Sequence, residues 1–253
     1  MKIDILGCSG GVGPGLRTTS LRVDGRILID AGTGACDLPL VDMVALTDVF
    51  LTHAHLDHTV GLAFLADNRI GQSERPLVIH GQAETIDRLH AHLFNWQVWP
   101  DFTLLPDAGH PTLCLVADAE APVICGGLRM IPFPAVHTVP ANGYAVEHAH
   151  GIFAFTGDTG SGAEPWAALN TLPRLDQLMV EVSYGNARDD IAAIARHLTP
   201  ARLAAGLARL HHRPEVLLTH AKPGHEQAVR EECRAALAGW RYRHLCNGET
   251  LEV

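Results

Sequence analysis

The sequence has no long apolar run, no paired cysteine motif and a shortage of positive charge. No stretch approaches the ~18 uninterrupted apolar residues of a membrane helix, so we expect no membrane partner. The six cysteines include no C-x-x-C pair, which is typical of small buried residues in a reducing compartment. The 19 Lys and Arg against 28 Asp and Glu give a net charge of −9, which makes a nucleic-acid partner unfavourable.

The amino-terminal segment MKIDILGCSGG lacks a charged leader followed by an apolar run and a cleavage site, and it reads as a strand. We therefore expect a cytoplasmic protein. With 253 residues, 47% of them hydrophobic, the chain is long enough to form a buried core without disulfides or a structural metal. No linker, low-complexity run or strong repeat divides it, which predicts a single domain over residues 1–253.

Strand and helix patterns alternate along the chain. A hairpin is predicted around Asp24-Gly25, and residues 95–125 read as irregular. This alternation predicts an α/β protein with the αββα architecture, in which two mixed β-sheets are flanked by helices. The other predicted strands cover 2–6, 48–52, 75–81, 128–137, 143–148, 151–158, 175–183, 214–220 and 249–253, and the predicted helices cover 83–94, 188–198, a segment starting at Thr199-Pro200, and 225–238.

Histidine is the abundant residue, with 16 copies, and its positions are informative. Residues 52–58 read THAHLDH and directly follow an apolar strand. Because alternate side chains of an extended segment point the same way, His53 and His55 can chelate one metal ion. A turn into a helix at Asp57 would direct Asp57 and His58 towards an adjacent position. Four donors in two pairs favour two neighbouring metals over one.

Three further candidate ligands each follow a predicted strand. His137 ends PFPAVH, Asp158 ends FAFTGD and His220 ends VLLTH. In α/β folds the ligand-binding sites lie at the ends of strands, so we expect these side chains to lie close to the 53–58 cluster. The other eleven histidines lack such a setting, and we interpret them as non-ligands without partners.

The motif THAHLDH after a strand, the later strand-end ligands and the hairpin VDGRILIDAG resemble the metallo-β-lactamase fold over essentially the whole chain. Within that superfamily the sequence is similar to class II cyclic-nucleotide phosphodiesterases. The stretches that carry this similarity are HAHLDH (53–58), FTGDTG (155–160), VEVSYGN (180–186), HLTP (197–200) and LTHAKP (218–223).

The resemblance implies a division of the ligands between two divalent metal ions. One would be held by His53, His55 and His137, and the other by Asp57, His58 and His220, with Asp158 bridging both. Imidazole-rich sites with carboxylates suit Zn²⁺, with Mn²⁺ or Fe as alternatives. The candidates for a general acid are Asp57 and Lys222, and Lys222 can instead serve as a fixed charge on the phosphate.

Two further features of the sequence each allow two interpretations. Glu181 is expected either to orient a ligand histidine or to be a carboxylate at the edge of the core. Trp96 and Trp99 are expected to stack on a base or, more simply, to form a hydrophobic cluster under a loop.

These residues predict an enzyme that hydrolyses a small-molecule phosphodiester. The specific expectation is conversion of 3',5'-cyclic nucleotides (cAMP or cGMP) to nucleoside monophosphates by attack of a metal-bridging hydroxide. The alternatives are an RNA-processing nuclease of the same fold, a thioesterase- or lactonase-type hydrolase of carbon esters, and a metal-binding protein without catalysis. Exposed edges and flat faces make a homodimer possible.

Overall fold

Two seven-stranded β-sheets form the body of the computed structural model, which describes residues 1–253. Two very short strands make a separate ribbon. The strands are β1 (Lys2–Gly7), β2 (Ser20–Val23), β3 (Ile27–Ile29), β4 (Asp48–Phe50), β5 (Leu77–Gly81), β6 (Pro106–Asp107), β7 (His110–Pro111), β8 (Leu113–Ala117), β9 (Val123–Cys125), β10 (Leu128–Pro134), β11 (Asn142–His148), β12 (Gly151–Phe155), β13 (Gln177–Glu181), β14 (Glu215–Thr219), β15 (Tyr242–His244) and β16 (Thr250–Glu252).

The helices are short, and none is long and apolar enough to cross a bilayer. Two 3₁₀ turns cover Thr33–Asp37 and Asn186–Arg188. The α-helices are α1 (Leu40–Ala45), α2 (Leu56–Thr59), α3 (Gly61–Arg69), α4 (Ala83–His92), α5 (Glu164–Leu169), α6 (Asp189–Ala195), α7 (Pro200–Leu207) and α8 (Glu226–Ala236).

Both sheets are mixed. The first has the order β16-β1-β2-β3-β4-β5-β8 and the second the order β15-β14-β13-β12-β11-β10-β9. In the first sheet β3, β4, β5 and β8 run parallel, and in the second β12 to β15 run parallel while β9 to β12 pair antiparallel. The carboxyl ends of β4, β10, β12 and β14 therefore meet at one edge of the sandwich.

Three buried apolar clusters hold the layers together. The first lies between the sheets and joins side chains such as Ile5 and Phe50 with Met130 and Phe153. Two outer clusters pack helices on the far faces, so that Leu62, Leu65 and Leu89 cover the first sheet and Trp166, Leu203 and Val229 cover the second. Both faces of each sheet are thus buried, and the predicted αββα class is confirmed.

The hairpin predicted at Asp24-Gly25 is present between β2 and β3. Both residues have positive φ, 44° and 73°, as the turn types that match strand twist require. The cap predicted at Thr199 is also present, since its hydroxyl accepts the amide of Arg202 at the start of α7.

The segment 95–125 is not wholly irregular, and this expectation was wrong. Its strand β8 is the edge strand of the first sheet and pairs parallel with β5 from Leu77 to Gly81. Only one residue of LCLVA is fully buried, because an edge strand faces solvent along much of its length. The sequence therefore lacks the apolar run by which the buried strands were recognised.

Candidate metal centre

The first group of donors surrounds the ring of His55. Nε2 of His53 lies 3.0 Å from Nδ1 of His55, and Nε2 of His137 lies 3.2 Å from the same nitrogen. Oδ2 of Asp158 completes the group at 3.9 Å from His53 and 3.8 Å from His137. We call these four residues the first donor set.

The second group shares Asp158 with the first. Nε2 of His58 and Nε2 of His220 lie 3.4 Å apart, and they are 3.3 Å and 3.2 Å from Oδ1 of Asp158. Oδ2 of Asp57 is 3.4 Å from the same nitrogen of His220. These four residues form the second donor set. The structure therefore brings all seven predicted ligands together, with one carboxylate oxygen directed at each set.

The outward nitrogens of four of these histidines are anchored by the protein. Metal-ligating histidines normally have such partners, which fix the tautomer and the direction of the ring. The partner atoms are Oγ1 of Thr52 at 3.0 Å for His53, Oδ2 of Asp30 at 2.7 Å for His58, the carbonyl of Arg196 at 3.1 Å for His137, and Oγ of Ser183 at 3.1 Å for His220.

The donor sets fit divalent metal ions. Within each set the possible ligand atoms all lie within 4.8 Å of one another. Oδ1 of Asp158 is buried and makes no hydrogen bond of regular geometry, although Nε2 of His58 and Nε2 of His220 lie 3.3 Å and 3.2 Å away; a cation among these atoms would relieve this costly state. Imidazole nitrogen combined with carboxylate oxygen is the donor chemistry of zinc and of manganese or iron sites.

In the first donor set the electrostatics favour the protonation states that metal binding needs. Burial, together with the neighbouring imidazoles, lowers the pKa of His53 well below its usual value, and burial also lowers the pKa of His55 and of His137. Burial opposes ionisation of Asp158, but His220 and His58 outweigh it and hold the pKa of this carboxyl well below its usual range. The first donor set therefore offers neutral imidazoles and an ionised carboxylate.

Comparisons with known proteins agree with this geometry. Residues 25–221 match the model of the beta-lactamase superfamily domain. The chain belongs to the beta-lactamase superfamily. A solved structure, the metallo-beta-lactamase fold protein YhfI from Bacillus subtilis, has the same fold, with a TM-score of 0.77 and 18% identity over 99% of this chain and 98% of that chain.

Two curated relatives of this superfamily protein carry names of phosphodiester-cleaving enzymes. A probable 3',5'-cyclic-nucleotide phosphodiesterase from Yersinia pestis is 29% identical over 213 residues, 72% of this chain and 59% of the relative. A Ribonuclease Z from Rippkaea orientalis is 31% identical over 186 residues, 69% of this chain and 57% of the relative. The chain thus spans less than two thirds of the length of these relatives.

Asp30, which was not among the predicted site residues, is part of the candidate site of this superfamily protein. It is wholly buried at the end of the hairpin arm ILID, with a positive φ of 59°. Its carboxylate accepts the amide and the hydroxyl of Thr52, both at 2.8 Å, besides contacting His58. The available signal was its place in the motif VDGRILIDAG, directly after a buried strand.

The buried carboxylate of Glu181 accepts several hydrogen bonds beside the donor sets. Its Oε1 accepts hydrogen bonds from Nδ1 of His197 at 2.7 Å and from the amide of Thr159 at 3.0 Å. Its Oε2 accepts a hydrogen bond from the hydroxyl of Ser183 at 2.7 Å. Ser183 in turn contacts Nδ1 of His220. Of the two roles left open for Glu181, the structure favours orientation of histidines.

His197 was grouped with histidines that lack partners, and this was wrong. It is buried, and its ring centre lies 5.2 Å from that of His137 and 5.4 Å from that of His220, so it borders both donor sets. His80 likewise has partners, Asp48 and Asp118. The reason for both errors is that the partners come from other elements of the fold, which no local pattern reveals.

The remaining candidates occupy the surroundings. Lys222 lies beside the second donor set, with Nζ 3.6 Å from Oδ2 of Asp57 and a side chain that is 22% exposed. Trp99 packs edge-on against Phe64 and donates to the carbonyl of Ala63, as in a hydrophobic cluster, whereas Trp96 is exposed.

An open cavity of about 480 Å³ borders the first donor set at His137. Its polar wall includes Gln82, Thr138, Glu164 and Arg196. A volume of this size suits a small-molecule ligand next to the candidate metal ligands.

Proposed function

We propose that this superfamily protein is a phosphodiesterase that depends on two divalent metal ions, most suitably Zn²⁺, and converts 3',5'-cyclic nucleotides such as cAMP or cGMP to nucleoside monophosphates. The observation that carries the proposal is the pair of donor sets that share Asp158. The name of the Yersinia pestis relative supports the choice of substrate.

The ligands have defined tasks in this proposal. His53, His55 and His137 would hold one ion and Asp57, His58 and His220 the other, with Asp158 between them. When bound, such ions act as Lewis acids on a phosphoryl group and provide a nucleophile at neutral pH. The anchored outer nitrogens keep the imidazoles directed inward, so the protein need not reorganise during the reaction.

The pair His197–Glu181 is suited to protonate the leaving oxygen. Nδ1 of His197 donates to Glu181, and Nε2 of His197 has no hydrogen-bond partner. Nε2 is therefore the nitrogen that can exchange a proton with a ligand. His197 touches both donor sets, where the scissile bond would lie. General acids of this kind contribute ~10²–10⁴-fold to the rate.

Asp57 and Lys222 have supporting tasks. Asp57 faces His220 on one side and Lys222 on the other, so its carboxylate joins the second donor set to a cation. Burial opposes its ionisation, but its hydrogen bond to His220 and the charge of His58 keep the pKa of Asp57 below its usual value. Asp57 is therefore suited to bind metal, and Lys222 to neutralise an anionic phosphate; their use as general acid stays a prediction.

The direct test is hydrolysis of cAMP and cGMP by protein loaded with Zn²⁺ or Mn²⁺, followed by ³¹P NMR. The expected product is a nucleoside monophosphate, and the variant Asp158→Asn should release none. Wild-type protein that binds two metal ions and yet opens no cyclic nucleotide would overturn the proposed substrate.

A ribonuclease is the second candidate, because one relative is named Ribonuclease Z. Residues 196–243 carry nine Lys and Arg against four Asp and Glu, a local excess of positive charge. Cleavage of a structured RNA, with an affinity that falls steeply as salt rises, would favour this function. Weak binding without salt dependence would exclude it.

Four broader expectations remain proposals or predictions. The whole of residues 1–253 is proposed to form the catalytic domain, and its partner is proposed to be a small phosphodiester and neither nucleic acid nor a membrane. A cytoplasmic location and a homodimer remain predictions from the sequence.

A further inference from the structure

Arg196 and His137 are joined by two hydrogen bonds that run in opposite directions. Nδ1 of His137 donates to the main-chain carbonyl of Arg196 at 3.1 Å. Nη1 of Arg196 donates to the main-chain carbonyl of His137 at 2.5 Å. The first bond fixes the ring of His137 and the second fixes its backbone.

The backbone of Arg196 has a conformation that favours glycine. The residue ends α6 with φ 52° and ψ 56°, in the left-handed region. This turn lets the amide of His197 bond to the carbonyl of Ala192, and it allows close packing on Gly160, where an added Cβ would come within 3.0 Å of the Cα of Arg196. Glycine would make such a turn with less strain, so the turn alone does not account for an arginine.

The side chain of Arg196 has no other bonded partner. Its guanidinium makes one hydrogen bond, to the carbonyl of His137, although Glu164 lines the same cavity. The hydrogen bond from its guanidinium to the carbonyl of His137 therefore explains why an arginine occupies this strained position.

We propose that Arg196 is a positioning residue for the first donor set. Its carbonyl selects the tautomer of His137 that leaves Nε2 free to bind metal, and its guanidinium holds the backbone that carries the ring. The same turn carries His197, so the metal ligand and the proposed proton donor are aligned by one residue. This inference rests on the metal centre of the proposed function and does not depend on the substrate.

The test measures zinc affinity in the full chain by competition with a chromophoric chelator. Arg196→Gly keeps the carbonyl and relieves the left-handed turn but removes the guanidinium, whereas Arg196→Lys keeps a cationic donor. Asp24→Gly is the matched control, because Asp24 also has a positive φ, of 44°, in the hairpin between β2 and β3.

We expect Arg196→Gly to bind one of its two zinc ions about 10-fold more weakly than the wild type, at the lower end of the ~10–100-fold effect of losing a ligand's direct partner, because the carbonyl that accepts from Nδ1 of His137 remains. The other site should keep its affinity. Thermal unfolding of the metal-free variant should occur at the same or a higher temperature, and excess zinc should restore kcat. Arg196→Lys should recover part of the affinity, and Asp24→Gly should match the wild type.

Unchanged affinity at both sites of Arg196→Gly would overturn the proposal and leave the proposed function standing. Equal weakening of both sites, or weakening that follows a loss of thermal stability, would also overturn it, because a general structural role would then suffice. Wild-type protein that binds no zinc would overturn the metal centre itself. Absence of cyclic-nucleotide hydrolysis by a zinc-loaded wild type would affect only the proposed substrate.

Discussion

Asp30 and His58 lie 28 residues apart in the chain and meet at 2.7 Å, with neither side chain exposed. The same carboxylate accepts the hydroxyl of Thr52, whose oxygen lies 3.0 Å from Nδ1 of His53. Since the Thr52 hydroxyl proton is directed at Asp30, its oxygen is free to accept from His53. One carboxylate thus orients a ligand in each donor set.

The first prediction concerns this carboxylate. Asp30→Asn should weaken metal binding at both donor sets, by ~10–100-fold, because one amide oxygen cannot accept from both His58 and Thr52, and the Thr52 hydroxyl that faces His53 then loses its fixed direction. Chelator competition measures the two affinities, and Asp42→Asn, at a partly exposed carboxylate that pairs with Arg22, is the control. Wild-type affinity in Asp30→Asn would contradict the role given to the carboxylate.

The second prediction separates the shared ligand from an unshared one. Asp158→Asn removes a charge from both donor sets, so the purified variant should retain little of either metal ion. Asp57→Asn should lose the ion of the second donor set and keep that of the first. Metal content is measured by mass spectrometry, and the idea fails if the two variants retain the same amount.

The third prediction concerns His197. His197→Gln should retain both metal ions but lower kcat for a cyclic nucleotide by ~10²–10⁴-fold, because the leaving alkoxide is no longer protonated. A 4-nitrophenyl phosphodiester needs little protonation of its leaving group, so its hydrolysis should change much less. Equal losses on both substrates would point to a role other than proton donation.

The fourth prediction concerns pH and a partly buried ion cluster around His80. Nε2 of His80 lies 3.0 Å from Oδ1 of Asp48, and Nδ1 lies 2.8 Å from Oδ2 of Asp118. The ring of His80 stacks on Phe50. Burial disfavours its charged form, but the two carboxylates outweigh burial and raise the pKa of His80. The folded pKa is then above the unfolded value, so the stabilisation is complete below about pH 6.5 and is lost as the pH rises through the folded pKa.

Urea unfolding of metal-loaded wild type and His80→Gln at pH 6 and pH 9 checks this prediction. The difference in unfolding free energy between the two proteins should be larger at pH 6 than at pH 9. The comparison cancels the titration of the metal ligands, which both proteins share. A difference that grows towards pH 9 would show that the assigned sign is wrong.

The candidate metal ligands could be predicted from the sequence because their signals are local. THAHLDH carries four donors within six residues, and His137, Asp158 and His220 each end an apolar strand. Parallel strands bring such ends to one edge, so convergence followed from the predicted fold. The fold class followed from the alternation of strands and one-sided helices.

The supporting residues were not accessible in the same way. Glu181 and His197 lie 16 residues apart, and nothing in either segment specifies the 2.7 Å contact between them. The helix α3 was also missed, because Leu62, Leu65 and most of its other residues are buried and give no one-sided periodicity. Contacts between distant elements and buried helices depend on tertiary packing, which a local pattern does not encode.

The ligands at the edge of the sandwich come from both sheets. His53, His55, Asp57 and His58 follow a strand of the first sheet, and His137, Asp158 and His220 follow strands of the second. Bound ions would therefore cross-link the two sheets. The free energy of metal binding would then add to the free energy of unfolding. At a free metal concentration 100 times the Kd, one such ion adds ~2.7 kcal/mol to the stability of the folded state. A chelator should then do more than inactivate the protein: it should loosen the layers from this edge, so that amide hydrogens of β4 and β14 exchange before those at the opposite edge.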